Sequence, residues 1–263
     1  MTEIDGGILL EREGAILKIG INRPAKMNGW TPGMIRNYAQ ALQTLGDDST
    51  LFCAVVYGVG SHTTAGLDLA KAAEVWERGE SLYPADLPDM YDLRAPARTK
   101  PLVMAAQGIC FTIGVELMLG ADIVVAASDC RFAVFEVKRG IMPSGGATIR
   151  FVQQAGWSNA MRYLLTADEF DAETAHRFGI VQDIVAPGEQ LDRAMDYARR
   201  ICANAAPLAV QATRANARLA LEQGAEAARA QFDATRARLR QTQDAAEGVL
   251  SFKEKRPPRF TGR

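Results

Sequence analysis

The stretch Leu102–Ala126 reads LVMAAQGICFTIGVELMLGADIVVA. Leu102-Val103-Met104-Ala105-Ala106 is apolar throughout, and so is Ile123-Val124-Val125-Ala126 after Asp122. Half-exposed strands alternate polar and apolar residues, whereas strands covered on both faces read as unbroken apolar runs. Gly114 to Gly120 lies between the two runs and predicts a short helix. Strand, helix and covered strand in succession predict an α/β fold. Apart from Glu116 and Thr112, the helical segment is apolar or glycine all round, which predicts burial. A buried carboxylate is costly unless it is paired, neutralised or used. Glu116 is therefore either partnered by a buried arginine, turned to the surface, or chemically employed.

Upstream, Leu51 to Tyr57 (LFCAVVY) is a third covered strand. Ile8 to Arg12 and Ala15 to Ile19 predict a hairpin around Glu13-Gly14. Thr31 stands as an N-cap with Pro32 at the first helical position, and Met34, Tyr38, Ala41, Leu42 and Leu45 recur at helical spacing up to Gly46. Downstream of Trp157 helical patterns dominate, and Leu191 to Arg240 is rich in alanine and arginine. Its arginines, among them Arg199, Arg214 and Arg218, predict a solvated or subunit-facing surface. Residues 1–195 are thus expected to form the α/β core and residues 196–263 a C-terminal helical region. The connection from Lys71 to Arg98 carries Trp76, Tyr83, Tyr91 and three prolines, which suits a lid or pocket wall as well as a surface helix and loop.

With 30 basic and 31 acidic residues the net charge is -1, so no nucleic-acid or membrane-surface footprint is expected. The start, Met1 to Asp5, is acidic and lacks an apolar signal core, and no apolar run reaches the ~18 residues of a membrane span. A soluble, cytoplasmic protein is expected. Cys53, Cys110, Cys130 and Cys202 each sit among apolar residues and predict buried free thiols. His62 and His176 belong to no metal-spaced cluster, and no GxSxG elbow is present. Gly58-Val59-Gly60-Ser61-His62-Thr63 imitates a dinucleotide fingerprint, but Thr63 holds the place of the third glycine.

Two further segments carry chemistry. Glu136 lies among apolar and aromatic neighbours in Cys130 to Val137, either as a strand residue paired with Lys138 or as a second working carboxylate. Ala65-Gly66-Leu67-Asp68-Leu69 opens a helical pattern just after a strand, and Gly114 opens another. Backbone N–H groups at helix starts are free to bind anionic oxygen. One donor from each segment would make an oxyanion hole of the kind used in acyl chemistry.

Taken in order, these segments resemble the enoyl-CoA hydratase/isomerase (crotonase) family. Ala65-Gly66-Leu67-Asp68 is similar to its AGAD element, and Lys100-Pro101 through Gly114-Val115-Glu116-Leu117 to its KP…NG…GGGCEL run. Phe132 to Gly146 is similar to FxxPE…G..P..GG. Ala160 to Val181, Asn22-Arg23-Pro24 with Asn28, and Phe252 to Arg256 match further family patterns. The resemblance covers nearly the whole chain. It implies a crotonase-like superhelix of stacked ββα turns with a helical C-terminal trimerisation region, assembled as homotrimers or homohexamers. It implies acyl-CoA as the substrate, with coenzyme A entering as part of it and no separate cofactor or metal. The oxyanion donors would be the N–H groups of Leu67 and Ile113. Glu116 would help activate water, and Glu136 would protonate the α-carbon. Ala65, Leu67, Asp68 and Leu69 would line the coenzyme A site, with Lys26 and Met27 near its backbone contacts and Phe252 and Lys255 near the nucleotide end.

The chain departs from the pattern at Thr112-Ile113, which replace two glycines, at Leu67 and Thr64, and at Phe135, which replaces a proline. A β-branched residue disfavours positive φ, so Ile113 is expected to be helical or extended. Retention of both glutamates favours a hydratase. An enoyl-CoA isomerase, an acyl-CoA hydrolase and a silent CoA-binding protein are the alternatives.

Overall fold

The computed structural model describes residues 2–4 and 7–263; the readings at Met1 and Asp5 lie outside the described residues. Strands β1 (Thr2–Ile4), β2 (Ile8–Glu13) and β3 (Ile16–Ile21) pair antiparallel, in agreement with the expected hairpin. Helix α1 (Pro32–Asp47) follows, and its Thr31 cap accepts a hydrogen bond from the Met34 N–H at 3.2 Å. From β3 the sheet continues in parallel through β4 (Cys53–Gly58) and β5 (Leu102–Ala106), with α2 (Leu69–Glu77) between those two in sequence. The chain then makes β6 (Ile109–Phe111), α3 (Ile113–Gly120), β7 (Ile123–Ala127) and β8 (Arg131–Ala133). Strand β7 extends the large sheet beside β5, and β8 pairs with β6 in a small second sheet. The β5–β6 and β7–β8 turns thus place one strand in each sheet, the stacked ββα arrangement that the resemblance implies.

Beyond β8 come α4 (Val152–Ala155), α5 (Trp157–Thr166), β9 (Phe170–Asp171), α6 (Ala172–Arg177) and β10 (Asp183–Val185). The large sheet runs β1-β2-β3-β4-β5-β7-β10 and the small one β6-β8-β9. Helix α7 (Gln190–Asn204) then lies on the large sheet. The helices α8 (Pro207–Gln223), α9 (Ala225–Ala230), α10 (Phe232–Arg240) and α11 (Gln243–Glu254) complete the chain. The expected boundary after residue 195 falls inside α7, whose Ala194, Met195 and Ala198 cover one face of the sheet.

The unbroken apolar strands have a direct physical reason. Cys53, Val55, Val103, Ala105 and Val125 face α7, while Ala54, Val56, Met104, Ala106, Val124 and Ala126 face the main core with α1 and α3. Neither face meets water, so neither selects polar residues. Cys53, Cys110 and Cys130 are buried and Cys202 is partly buried, all as free thiols. Arg214 and Arg218 depart from the expected helix surface. Both turn inward from α8 to Asp92, Arg218 at 2.7 Å, and Arg214 also meets Asp122 at 2.8 Å. No described helix is long and apolar enough to cross a membrane.

Candidate active site

The site is built where the loop before α2 meets the start of α3. Asn28 fixes the first wall: its side-chain oxygen accepts from the Arg23 N–H at 2.7 Å, and its amide donates to the carbonyls of Val59 and His62. Thr64 donates through Oγ1 to the Asn28 carbonyl at 2.7 Å and accepts from the Gly66 N–H at 3.0 Å. Gly66 has φ +107°, and a Cβ there would run into Thr112 Oγ1. Only glycine suits that position, because both the backbone region and the space exclude a side chain. The next residue, Leu67, leaves its N–H without a partner among the described residues.

The second wall is the start of α3. Thr112 has φ +50° and ψ -107°, a strained conformation for a β-branched residue, and so it takes up the turn that the glycine pattern would make without strain. Ile113 is already helical, as its branched side chain requires. At the first helical position its N–H has no intrahelical acceptor, and it donates to no other described group. Leu67 and Ile113 line one cavity of about 260 Å³ together with Glu116 and Glu136.

Glu116 is 3% exposed. Its Oε1 accepts from the Gly145 N–H at 2.7 Å and the Ala147 N–H at 3.3 Å. A Cβ on Gly145 would stand 2.7 Å from both Glu116 Cδ and Tyr91 Cζ, so the loop approaches the carboxylate only as glycine. Burial first, and the charge of Glu136 second, push the Glu116 carboxyl up to about 7 against the pull of those two N–H donors. Glu136 does not continue β8. The strand stops at Ala133, and Glu136 opens a 3-10 turn, Glu136–Arg139. Lys138 donates instead to the Ala167 carbonyl at 2.7 Å. Burial raises the Glu136 carboxyl too, and its Oε2 is buried without a hydrogen-bond partner. With burial raising both carboxyls and Glu136 adding to the rise at Glu116, the pair holds a proton near neutral pH, so one can accept while the other donates.

A family model described as enoyl-CoA hydratase/isomerase matches residues 11–263. The chain belongs to the enoyl-CoA hydratase/isomerase family. It is 34% identical over 269 residues to the enoyl-CoA hydratase EchA19 of Mycobacterium tuberculosis, covering 100% of both chains. It is 30% identical to the 2,3-dehydroadipyl-CoA hydratase of Escherichia coli, over 97% of this chain and 99% of that one. The crystal structure of a probable enoyl-CoA hydratase/isomerase from Mycobacterium abscessus superposes with TM-score 0.93 at 46% identity, covering 97% of this chain and 98% of that one. The fold is therefore crotonase-like.

Among the coenzyme A residues expected for this hydratase/isomerase family member, Ala65, Leu67 and Leu69 line the cavity. Met27 and Lys26 do not line it: the Met27 carbonyl accepts from the Ala65 N–H at 2.8 Å, and Lys26 ends the 3-10 turn Pro24–Lys26. Asp68 is committed elsewhere. Its carboxylate caps α2 at the Lys71 N–H and pairs with Arg23 at 2.8 Å, which holds it below the usual range. Phe252 and Lys255 stand at the end of α11, which packs on α10, and neither lines the cavity; Phe252 is 85% exposed. Trp76, Tyr83 and Tyr91 make the irregular 71–98 connection a pocket wall. Arg139, Ile141, Met142 and Ser144 also line the site, and the sequence marked them only as part of the Phe132 to Gly146 pattern. Clefts of about 440 and 750 Å³ lie beside α8, but neither contains an acid–base pair of glutamates.

Proposed function

We propose that this chain is an enoyl-CoA hydratase that adds water syn across the 2,3 double bond of an enoyl thioester. One observation carries the reading: the buried Glu116, the half-buried Glu136, and Leu67 and Ile113, whose backbone N–H groups have no described acceptor, line a single cavity. Attack on the β-carbon drives charge onto the thioester oxygen. The Leu67 and Ile113 N–H groups would hold that charge in a dry site, each worth about 3–4 kcal/mol. Glu116, whose Oε1 already receives two N–H donors, suits the anionic form that takes a proton from water. Glu136, also raised by burial, would deliver the proton that the pair shares to the α-carbon. Attack and protonation from one side of the substrate give syn addition. The curated relatives named as hydratases support this choice over isomerisation.

The same reading extends to assembly as trimers or hexamers. It is supported by exposed apolar residues on the C-terminal helices, Leu221, Phe232, Val249, Leu250 and Phe252. Sedimentation equilibrium giving a monomer mass would reject the assembly.

Hydration of crotonyl-CoA, followed by loss of the enoyl-thioester absorbance, tests the activity. Glu116→Gln and Glu136→Gln are each expected to slow turnover about 10²–10⁴-fold. Full turnover in either variant would remove that residue from the mechanism. Double-bond migration without water incorporation would make the chain an isomerase.

A further inference from the structure

The wall made by the 71–98 connection is aromatic but not apolar. Tyr83 and Tyr91 pack edge to face with ring centroids 5.6 Å apart, and their hydroxyls are 3.2 Å from each other. Tyr91 is 1% exposed. Two phenols carry two O–H donors, and one such bond between them uses only one. Neither hydroxyl makes another hydrogen bond among the described residues. Burial raises both phenols above their ordinary value, so both stay protonated near neutral pH. The pair therefore holds one unused donor on the wall of a cavity that Leu67, Ile113, Phe135 and Trp76 line together with Glu116 and Glu136. A buried donor left without an acceptor is costly, and a bound ligand oxygen would supply one.

The pair sits at the reacting end of the cavity. Gly145 packs against both Tyr91 Cζ and the Glu116 carboxyl. The exposed lining residues Leu69, Trp76, Ile141 and Met142 mark the open side, where the coenzyme A arm would enter. A group reaching Tyr83 and Tyr91 would thus belong to the acyl chain. Ordinary alkyl chains need only apolar contact and gain nothing from a phenol pair. Arg150 holds the wall in place by donating to the carbonyls of Tyr91 and, at 2.6 Å, Asp92.

We propose that Tyr83 and Tyr91 form a recognition site for an oxygen function on the acyl tail, so that the substrate class is enoyl-CoA bearing a hydroxyl or carbonyl beyond the double bond. This rests on the hydratase reading for the chemistry, but not for the binding.

The test compares saturated acyl-CoAs, which cannot be hydrated, by calorimetry. Each alkyl parent is paired with analogues carrying a hydroxyl at successive carbons along the tail. At least one oxygenated analogue is expected to bind about tenfold more tightly than its parent. Tyr83→Phe and Tyr91→Phe keep the rings, and both should bring that ratio close to one. No preference at any position, or a preference that survives in both variants, would overturn the proposal. An equal loss of affinity for parent and analogue would assign the pair to the coenzyme A portion and overturn it as well. Hydration of the matching 2-enoyl thioesters is measured in parallel. A binding preference without hydration would keep the recognition site and reject the hydratase reading, and hydration without a preference would do the reverse.

Discussion

At the scale of single residues, the site works by exposing some groups to strain and desolvation that the rest of the chain absorbs. Glu116 is the main case. Its carboxyl is pushed from 4.5 to about 7 by burial and by Glu136. As the base it must be ionised, so kcat/KM for hydration should fall about tenfold per pH unit below about pH 7. A pH profile with its acidic limb near the ordinary carboxylate range would remove Glu116 from that role. The same shift has a sign in stability. Between about pH 4.5 and 7 the folded state retains a proton that the unfolded chain releases, so folding weakens as pH rises through that window. Glu116→Gln cannot titrate. Relative to the parent it should gain about 3 kcal/mol between pH 4.5 and pH 8, read from urea midpoints at the two values.

At the scale of the element, β6, the turn at Thr112 and α3 act as one unit. The strand fixes where the turn begins, since the Thr112 N–H donates to the Ala133 carbonyl of β8 at 2.7 Å. The helix then starts abruptly at Ile113, and this leaves the Ile113 N–H free. The abrupt start requires the strained Thr112 backbone, which costs on the order of 1–3 kcal/mol. Thr112→Gly should therefore raise stability by about 1 kcal/mol after the entropy of the unfolded glycine is subtracted. Thermal or urea unfolding checks this. A destabilised variant would mean that the Thr112 side chain contributes packing against Gly66 worth more than the strain.

At the scale of the molecule, the pocket wall and the C-terminal helices share one charged knot. Asp92, 3% exposed, is met by Arg214 and Arg218 from α8, and its carboxylate also accepts the Arg98 N–H at 2.9 Å. Tyr91, the preceding residue, lines the pocket. Removing the carboxylate takes a partner from two largely buried guanidiniums, leaving Arg214 with Asp122 and Arg218 with Glu222, and leaves the buried Arg98 N–H unpaired. Asp92→Ala should cost about 3–5 kcal/mol, measured by urea unfolding, and loosen α8 from the core. A cost below about 1 kcal/mol would show that α8 is held by apolar contact alone.

The sequence by itself determined the α/β class, the covered strands and the family. Continuous apolar runs at 51–57, 102–106 and 123–126 leave few alternatives, and six family segments in order leave fewer. It also singled out Glu116, because a carboxylate inside an otherwise apolar helix is visible as composition. Other features depended on contacts between residues distant in sequence. Asp68 reads like a pocket residue until Arg23, 45 positions away, is seen to pair with it. Arg214 and Arg218 read as helix surface until Asp92 meets them across more than a hundred residues. Local pattern records which face of an element is apolar, but not which charge another element brings to it. The tertiary structure alone brought Leu67, Ile113 and the two glutamates around one cavity and set the Tyr83–Tyr91 pair beside them. Hydrogen-bond distances and desolvation are properties of the packed chain, and no periodicity in the sequence encodes them.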